Sequence, residues 1–247
     1  MGCNKISVAL ATYNGQKYIT SQLMSILSQL GDNDEIIISD NYSTDDTIQI
    51  IQSFNDKRIK IFYQKQVSKS GNANCIKNFE NALLNCTGDY IFLSDQDDIW
   101  IENKVSLNLN YLKQYDIVVS DCKIIDDQNR IILESYFKRR NSGRGLIKNV
   151  IANTYLGCCM AFKKQVLLVL MPFPAKIPMH DIFIGFAGEL FYKTLFATEQ
   201  LVLYRDHGSN VSPTAVGITK YGFFAQIGFR WNIIRYIPLL FYRKFFK

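Results

Sequence analysis

The first half of the chain alternates short runs of apolar, β-branched residues with longer segments in which apolar positions recur at helical spacing. This alternation predicts strands and helices in turn, and therefore an α/β fold with a mostly parallel sheet that helices cover on both faces. We predict strands at 6–10, 36–38, 59–63 and 90–93. The connections between them would be right-handed crossovers, which place a ligand crevice at the carboxyl ends of the strands.

Helices are predicted between these strands. The first carries apolar residues from Ile19 to Leu30 on one face and ends at Gly31, and another carries apolar residues from Cys75 to Leu83. A helix between these two is predicted to begin at Ser43, because Ser43 and Asp46 have capping-box spacing. Beyond residue 115 the pattern weakens, and it predicts a strand at 117–119, a turn at 126–129, an exposed loop at 138–145 and a strand at 157–162.

The net charge of +6 is concentrated in residues 219–247, which hold six basic residues, no acidic residue and ten of the 33 aromatic residues. Cations mixed with aromatic rings suit an anionic membrane surface, and no apolar run reaches the roughly 18 residues that would cross a bilayer. We predict a helical tail attached peripherally to the inner face of the cytoplasmic membrane. The alternative is a tail whose rings pack on the body of the protein.

Other features of the sequence concern the cellular compartment and the binding partners. The chain shows no secretion signal at its start, and its six cysteines show no C-x-x-C spacing. A cytoplasmic protein with reduced thiols is therefore expected. Nucleic-acid binding is not expected, because the basic residues are confined to one terminus and no recognition motif accompanies them.

Three carboxylates, Asp95, Asp97 and Asp98, directly follow the strand at 90–93. Unpaired carboxylates this close repel one another, and a hard divalent cation commonly relieves the repulsion. Mg²⁺ or Mn²⁺ held by one or two carboxylates keeps coordination positions open for phosphate oxygens. The sequence therefore predicts a metal–diphosphate site here, and the alternative is a solvated turn that caps the following helix.

Two other strand ends carry residues suited to a nucleotide. Thr12, Tyr13 and Asn14 follow the first strand and offer polar groups and a ring on which a base could stack. Asp40 follows the second strand and supplies a carboxylate for the base or ribose. Each residue also has an ordinary structural explanation, Tyr13 as a core residue and Asp40 as a turn former. Their occurrence at successive strand ends favours a nucleoside-diphosphate ligand.

These segments resemble the successive motifs of family 2 glycosyltransferases, and most of all the bacterial rhamnosyltransferase-like branch. The resemblance is carried by ATYNG at 11–15, SDNYSTDDT at 39–47 and GDYIFLSDQDD at 88–98, followed by Trp100. It covers residues 5–115 strongly and extends more thinly to about residue 212. It implies a GT-A fold, with a Rossmann-like sheet, and an inverting transfer by single displacement.

The resemblance also implies roles for single residues. The implied catalytic base is Asp181, in the pair His180–Asp181, and the aromatic bulk common after the base is only partly matched by Ile182 and Phe183. The motif at 204–210 contributes Arg205 and His207 as diphosphate or metal contacts, with a structural role as the alternative. The predicted nucleotide-sugar ligands are Thr12, Tyr13, Asn14, Asp40, Asp95 and Arg205. The predicted metal ligands are Asp95, Asp97 and His207.

We therefore predict a glycosyltransferase for bacterial surface polysaccharide. Its donor would be dTDP-rhamnose or a UDP-hexose, and its acceptor a saccharide, hypothesised to be linked to a lipid diphosphate. Residues 1–115 would bind the donor, 116–218 would bind the acceptor and supply the base, and 219–247 would form the tail. The alternatives are a non-catalytic binding subunit of an envelope assembly complex and a sugar nucleotidyltransferase, although the Gly-rich activation loop of the latter is missing. A phosphatase of the haloacid dehalogenase type is disfavoured, because its D-x-D lies near the N-terminus.

Overall fold

The computed structural model describes residues 4–207 and 223–246, and the fold it shows is a layered α/β domain built on one sheet. The sheet order is β3-β2-β1-β4-β8-β6-β9-β5, with β7 paired to β6. The strands are β1 (Ile6–Thr12), β2 (Glu35–Asp40), β3 (Ile59–Tyr63), β4 (Tyr90–Asp95), β5 (Ile99–Trp100), β6 (Ile117–Ile125), β7 (Ile131–Leu133), β8 (Met160–Lys163) and β9 (Thr194–Arg205).

Ten helices are described around this sheet. They are α1 (Ile19–Leu27), α2 (Thr47–Ser53), α3 (Gly71–Asn85), α4 (Lys104–Leu112), α5 (Tyr136–Arg140), α6 (Leu146–Ile151), α7 (Gln165–Leu170), α8 (His180–Phe191), α9 (Phe223–Ile234) and α10 (Ile237–Phe246). A single 3₁₀ turn covers Gly157–Cys159. The α/β fold with covered sheet faces is as predicted, and so is the helical tail.

The parallel half of the sheet positions the predicted nucleotide residues. Strands β1 and β2 are buried along their whole length, as expected for continuous apolar strands between two helical layers. In the register between them Thr12 lies opposite Asp40, and Ala11 lies opposite Asp95 of β4. The carboxyl ends of three adjacent strands therefore meet at one edge of the sheet.

The second half joins the sheet mainly through antiparallel pairs. Strand β8 pairs antiparallel with both β4 and β6, whereas β9 runs parallel to β6. Strand β5, which follows directly on the acidic motif, pairs antiparallel with the end of β9. This pairing brings Arg205 and His207 beside Asp97.

Three local predictions were wrong. Helix α2 begins at Thr47, because Ser43 donates its hydroxyl to Asp40 (2.5 Å) instead of capping a helix. The loop predicted at 138–145 begins as α5, whose first turn is capped by Ser135 accepting from the Lys138 N–H. The strand predicted at 157–162 starts only at Met160, after the 3₁₀ turn.

The tail helices pack partly on the body. Leu240 of α10 is fully buried, and the ring of Phe241 contacts Phe191 of α8 at a centroid distance of 4.9 Å. Arg243 donates to the Leu170 carbonyl oxygen of α7 (2.8 Å). Other tail side chains face solvent, including Trp231, Phe245 and Phe246. The tail residues Lys220 and Lys247 lie outside the described residues, as do residues 208–210 of the motif at 204–210.

Candidate active site

A cleft of about 1070 Å³ opens at the carboxyl ends of β1 and β4. Residues from both halves of the chain line it. Among the residues predicted from the sequence these are Thr12, Tyr13, Asn14, Asp95, Asp97, Asp181 and His207. The two remaining predicted residues, Asp40 and Arg205, are buried beside the cleft and do not belong to its lining.

Gln96, in the middle of the acidic motif, joins the first and fourth strand ends. Its Oε1 accepts from the Thr12 hydroxyl (2.6 Å) and the Tyr13 N–H (2.8 Å), and its Nε2 donates to the Tyr13 carbonyl (3.1 Å). A Cβ at Gly15 would lie 2.5 Å from Gln96 Oε1, so a larger residue at position 15 would displace the Gln96 side chain from these contacts. Sequence reasoning assigned Gln96 no role, because an amide between two carboxylates has no diagnostic spacing.

Hydrogen bonds around Ser43 hold the loop that follows β2. The Asp40 carboxylate is fully buried and accepts from the Ser43 N–H (2.8 Å) and hydroxyl. Asn14 has a left-handed backbone (φ 49°), donates its N–H to Ser43 Oγ (2.8 Å) and accepts from the Thr44 N–H (2.9 Å). The nucleoside contacts assigned to Asp40 and Asn14 stay predictions, and what the structure shows is that both residues fix the loop beside the cleft.

The acidic motif begins at the end of β4, next to the end of β1. Burial raises the pKa of Asp95 well above its usual range, and the nearby carboxylates of Asp97 and Asp181 raise it further. The pKa of Asp98 is raised in the same way, by burial first and then by Asp97 and Asp95. Such a cluster holds either protons or a cation.

The donor set fits a hard divalent metal. Asp95 and Asp97 line the cleft and offer carboxylate oxygens, the ligands that Mg²⁺ and Mn²⁺ prefer. Asp95, Asp98 and Cys158 also place potential ligand atoms within 4.8 Å of one another. Asp98, however, is fully buried, and its Oδ1 accepts from the Arg205 N–H (3.0 Å). The open side of the cluster is therefore the side of Asp95 and Asp97.

Two residues of the motif at 204–210, Arg205 and His207, contact Asp97. His207 Nε2 lies 2.8 Å from Asp97 Oδ2, and its ring stacks on Tyr18 at a centroid distance of 5.3 Å. The Arg205 guanidinium donates to the carbonyl oxygens of Asp97 (2.9 Å) and Asp126 (3.0 Å), and it lies over the Tyr18 ring. These contacts fix the backbone of the acidic motif. Direct contacts of Arg205 with diphosphate and of His207 with metal stay predictions.

Asp181 is the second residue of α8 and faces the cleft. Its Oδ1 accepts from the Ile182 N–H (2.7 Å) and its Oδ2 from the Gly157 N–H (3.1 Å). Burial raises its pKa to about 6, although these two N–H groups favour the ionised form. A carboxylate held in this way is mainly ionised at neutral pH and can accept a proton.

The neighbouring His180 is buried with its ring stacked on Phe79 at a centroid distance of 3.8 Å. Burial lowers its pKa to about 3, so the imidazole is neutral. Lys104, also fully buried, donates to the Cys158 carbonyl oxygen (3.0 Å) and so braces the 3₁₀ turn that supplies the Gly157 N–H. Sequence reasoning missed Lys104, because a lysine on a helix is ordinarily exposed.

Comparison with known proteins agrees with the resemblance carried by the sequence motifs. The family model "Glycosyl transferase family 2" matches residues 7–170. The chain is 28% identical over 222 residues to the dTDP-rhamnosyl transferase RfbG of Shigella flexneri, covering 81% of this chain and 72% of that protein. It is 26% identical to WfgD of Escherichia coli, a UDP-Glc:α-D-GlcNAc-diphosphoundecaprenol β-1,3-glucosyltransferase, covering 68% of this chain and 64% of that protein.

A solved structure shares the fold. The mannosyltransferase PcManGT from Pyrobaculum calidifontis, in complex with GDP-Man and Mn²⁺, superposes with a TM-score of 0.60. The match covers 98% of this chain and 70% of that one, at 18% sequence identity. At this identity the likeness concerns the fold alone.

Proposed function

Because the chain belongs to glycosyl transferase family 2, and is a glycosyltransferase with a GT-A fold, we propose the reaction and the residues that carry it. The reaction is the inverting transfer of one sugar from a nucleoside-diphosphate sugar to a hydroxyl of a saccharide acceptor. One observation carries the proposal. Two carboxylates of an acidic motif and a separate carboxylate of raised pKa, Asp181, face the same cleft.

The donor half of the proposal rests on residues 1–115. Thr12 and Tyr13, fixed by Gln96, would contact the nucleoside, with Asp40 supporting this side of the site. Asp95 and Asp97 would hold a divalent metal on the donor diphosphate, with His207 as a further contact. When bound, Mn²⁺ or Mg²⁺ would neutralise charge on the departing diphosphate.

Residues 116–218 would provide the acceptor half and the base. The ionised Asp181 would accept the proton of the acceptor hydroxyl as its oxygen attacks the anomeric carbon. A bond forms between that oxygen and the anomeric carbon, and the bond from the anomeric carbon to the donor phosphate oxygen breaks. The Gly157 and Ile182 N–H groups orient the carboxylate for this step.

The relatives narrow the substrates we propose. RfbG is named for dTDP-rhamnose, and WfgD for UDP-glucose and an acceptor carried on diphosphoundecaprenol. We propose dTDP-rhamnose or a UDP-hexose as the donor and a lipid-diphosphate-linked saccharide as the acceptor. The biological product would be a bacterial surface polysaccharide.

Peripheral attachment to the inner face of the cytoplasmic membrane is part of the proposal. In the described part of the chain, every helix is too short or too polar to span a bilayer. The tail nevertheless exposes Trp231 (62%), Phe245 (64%) and Phe246 (78%), and the last two directly follow Arg243 and Lys244 in the sequence. Exposed rings beside cations suit an anionic lipid surface.

The direct test measures UDP or dTDP release from UDP-glucose or dTDP-rhamnose, with Mn²⁺ and a synthetic GlcNAc-diphosphate-lipid as acceptor. We expect acceptor-dependent release, and we expect Asp97→Asn to lose it. The matched control is Asp89→Asn, which changes an exposed carboxylate elsewhere. If the wild type neither releases nor binds nucleotide, the non-catalytic binding subunit becomes the better account.

A further inference from the structure

One end of the cleft carries cations instead of carboxylates. Arg140, the last residue of α5, and Arg230, on α9, both line this end. A carboxylate lies close to these arginines but outside the cleft lining, since Glu189 of α8 accepts from the Gly145 N–H (2.9 Å) and the Tyr155 hydroxyl (2.9 Å). Among the lining residues, the cleft therefore has an acidic wall at Asp95 and Asp97 and a basic end at Arg140 of α5 and Arg230 of α9.

Arg140 is anchored at Asn153, and its guanidinium also interacts with the Tyr136 hydroxyl. One terminal nitrogen donates to the Asn153 carbonyl oxygen (3.2 Å), whereas the buried Nε has no hydrogen-bond partner. None of the ion pairs among the described residues includes Arg140. A guanidinium offers five N–H donors in a fixed fork, so an anion can still be bound at this position.

Arg230 contacts the same short segment as Arg140, residues 151–153. It donates to the Ile151 carbonyl oxygen (2.9 Å), two residues before the carbonyl that Arg140 contacts. Two guanidinium groups from distant parts of the sequence therefore converge on residues 151–153. Convergent guanidiniums are suited to phosphate, because each fork can form two parallel, charge-assisted hydrogen bonds to its oxygens.

The basic end at Arg140 and Arg230 lies close to Asp181, the residue proposed to accept the proton of the acceptor hydroxyl. The segment that Arg140 contacts at Asn153 continues to Gly157, whose N–H donates to Asp181. Four residues span at most roughly 14 Å even when fully extended. An acceptor whose hydroxyl lies at Asp181 can therefore reach Arg140 with the group attached to its reducing end.

We propose that Arg140 and Arg230 form a subsite for a diphosphate carried by the acceptor. This inference rests on the proposed function, in which Asp95 and Asp97 take the donor diphosphate and Asp181 marks the acceptor hydroxyl. The surface beyond Arg230 suits the lipid part of the acceptor, since Ile147 and Ile151 on α6 are 75% and 60% exposed. The enzyme would then select diphosphate-linked acceptors over neutral glycosides.

Calorimetric titration with geranyl diphosphate in EDTA tests the subsite, because chelation removes the metal that the donor diphosphate needs. We expect one molecule to bind per chain, and Arg140→Gln to weaken binding roughly tenfold or more. Arg139→Gln is the matched control, since Arg139 is the exposed neighbour on α5 and lies outside the cleft lining. Geraniol, which lacks the diphosphate, should not bind.

A second arm separates the acceptor from a lipid headgroup as the source of the anion. In steady-state transfer, Arg140→Gln should raise KM for a diphosphate-linked acceptor and leave kcat and the KM for a neutral octyl glycoside unchanged. Its binding to phosphatidylglycerol vesicles should match that of the wild type, and thermal unfolding should confirm that it folds. Equal geranyl diphosphate binding by Arg140→Gln and Arg139→Gln would overturn the subsite. If the wild type does not bind UDP with Mn²⁺, the proposed function is overturned. The result of the geranyl diphosphate titration is not affected by that outcome.

Discussion

The carboxyl of Asp181 should reduce stability while it serves catalysis, and Asp181→Asn separates the two effects. Burial raises its pKa from 3.8 to about 6, so the folded protein binds this proton more tightly than the unfolded chain does. The stability of the fold therefore falls as pH rises from about 4 to 6 and stays lower above that range. The shift of about two units corresponds to a destabilisation of up to about 3 kcal/mol at pH 7.

Asparagine has nearly the same shape and no charge, so it avoids this cost. Its single side-chain oxygen can accept from only one of the Gly157 and Ile182 N–H groups, and its NH₂ group then faces the other, which offsets part of the gain. Each kcal/mol moves the unfolding midpoint by roughly 2–4 °C at this chain length. We expect Asp181→Asn to raise the midpoint by several degrees at pH 7, in EDTA and without nucleotide, and to have less effect at pH 4. Asp32→Asn, at an exposed turn position, is the matched control.

Transfer activity should change in the opposite direction. General base catalysis contributes on the order of 10²–10⁴-fold, so kcat of Asp181→Asn should fall by that factor, whereas donor nucleotide binding stays. In the wild type, a base with a pKa of about 6 is about nine-tenths ionised at pH 7 and about one-tenth ionised at pH 5. Activity should fall accordingly on the acid side. A variant that keeps kcat within tenfold of wild type, or that unfolds at a lower temperature at pH 7, would refute this reasoning.

Two further predictions concern the cleft wall and the tail. Gly15→Ala should weaken nucleotide binding, because its Cβ would meet Gln96 Oε1 at 2.5 Å and break the link to Thr12 and Tyr13; a titration with UDP or dTDP and Mn²⁺ that matches wild type would contradict this role. Replacing the exposed Trp231, Phe245 and Phe246 together by Asp should abolish co-sedimentation with phosphatidylglycerol vesicles without unfolding the protein. Exposed Met24→Asp on α1 is its control, and continued sedimentation of the triple variant would contradict membrane attachment through the tail.

The parallel half of the fold could be predicted because its strands are continuous apolar runs that need no distant partner to be recognised. The ends of β1 and β4 carried ligand-type residues at positions that the register then brought to one edge, with Ala11 opposite Asp95. The second half was less predictable, because its strands pair over long sequence separations. The two-residue strand β5, for instance, exists only through its pairing with β9.

Individual side chains were missed where tertiary contacts override local preference. Ser43 has the spacing of a helix cap, yet the buried Asp40 carboxylate binds its hydroxyl and displaces the start of α2. Arg140 lies in a segment that its composition marks as an exposed loop, although it lines the cleft. Lys104 is buried against the Cys158 carbonyl, a contact with no counterpart in helical periodicity.

The central claim, a metal-dependent nucleoside-diphosphate site at Asp95 and Asp97, is tested most directly by thermal unfolding with UDP or dTDP, each with Mn²⁺ and with EDTA. A ligand at a hundredfold excess over its dissociation constant adds about 2.7 kcal/mol of stability, which corresponds to several degrees at this chain length. We expect such a rise with one of the two nucleotides, only when Mn²⁺ is present, and its loss in Asp97→Asn. An unfolding midpoint that neither nucleotide moves, with or without Mn²⁺, would contradict the site.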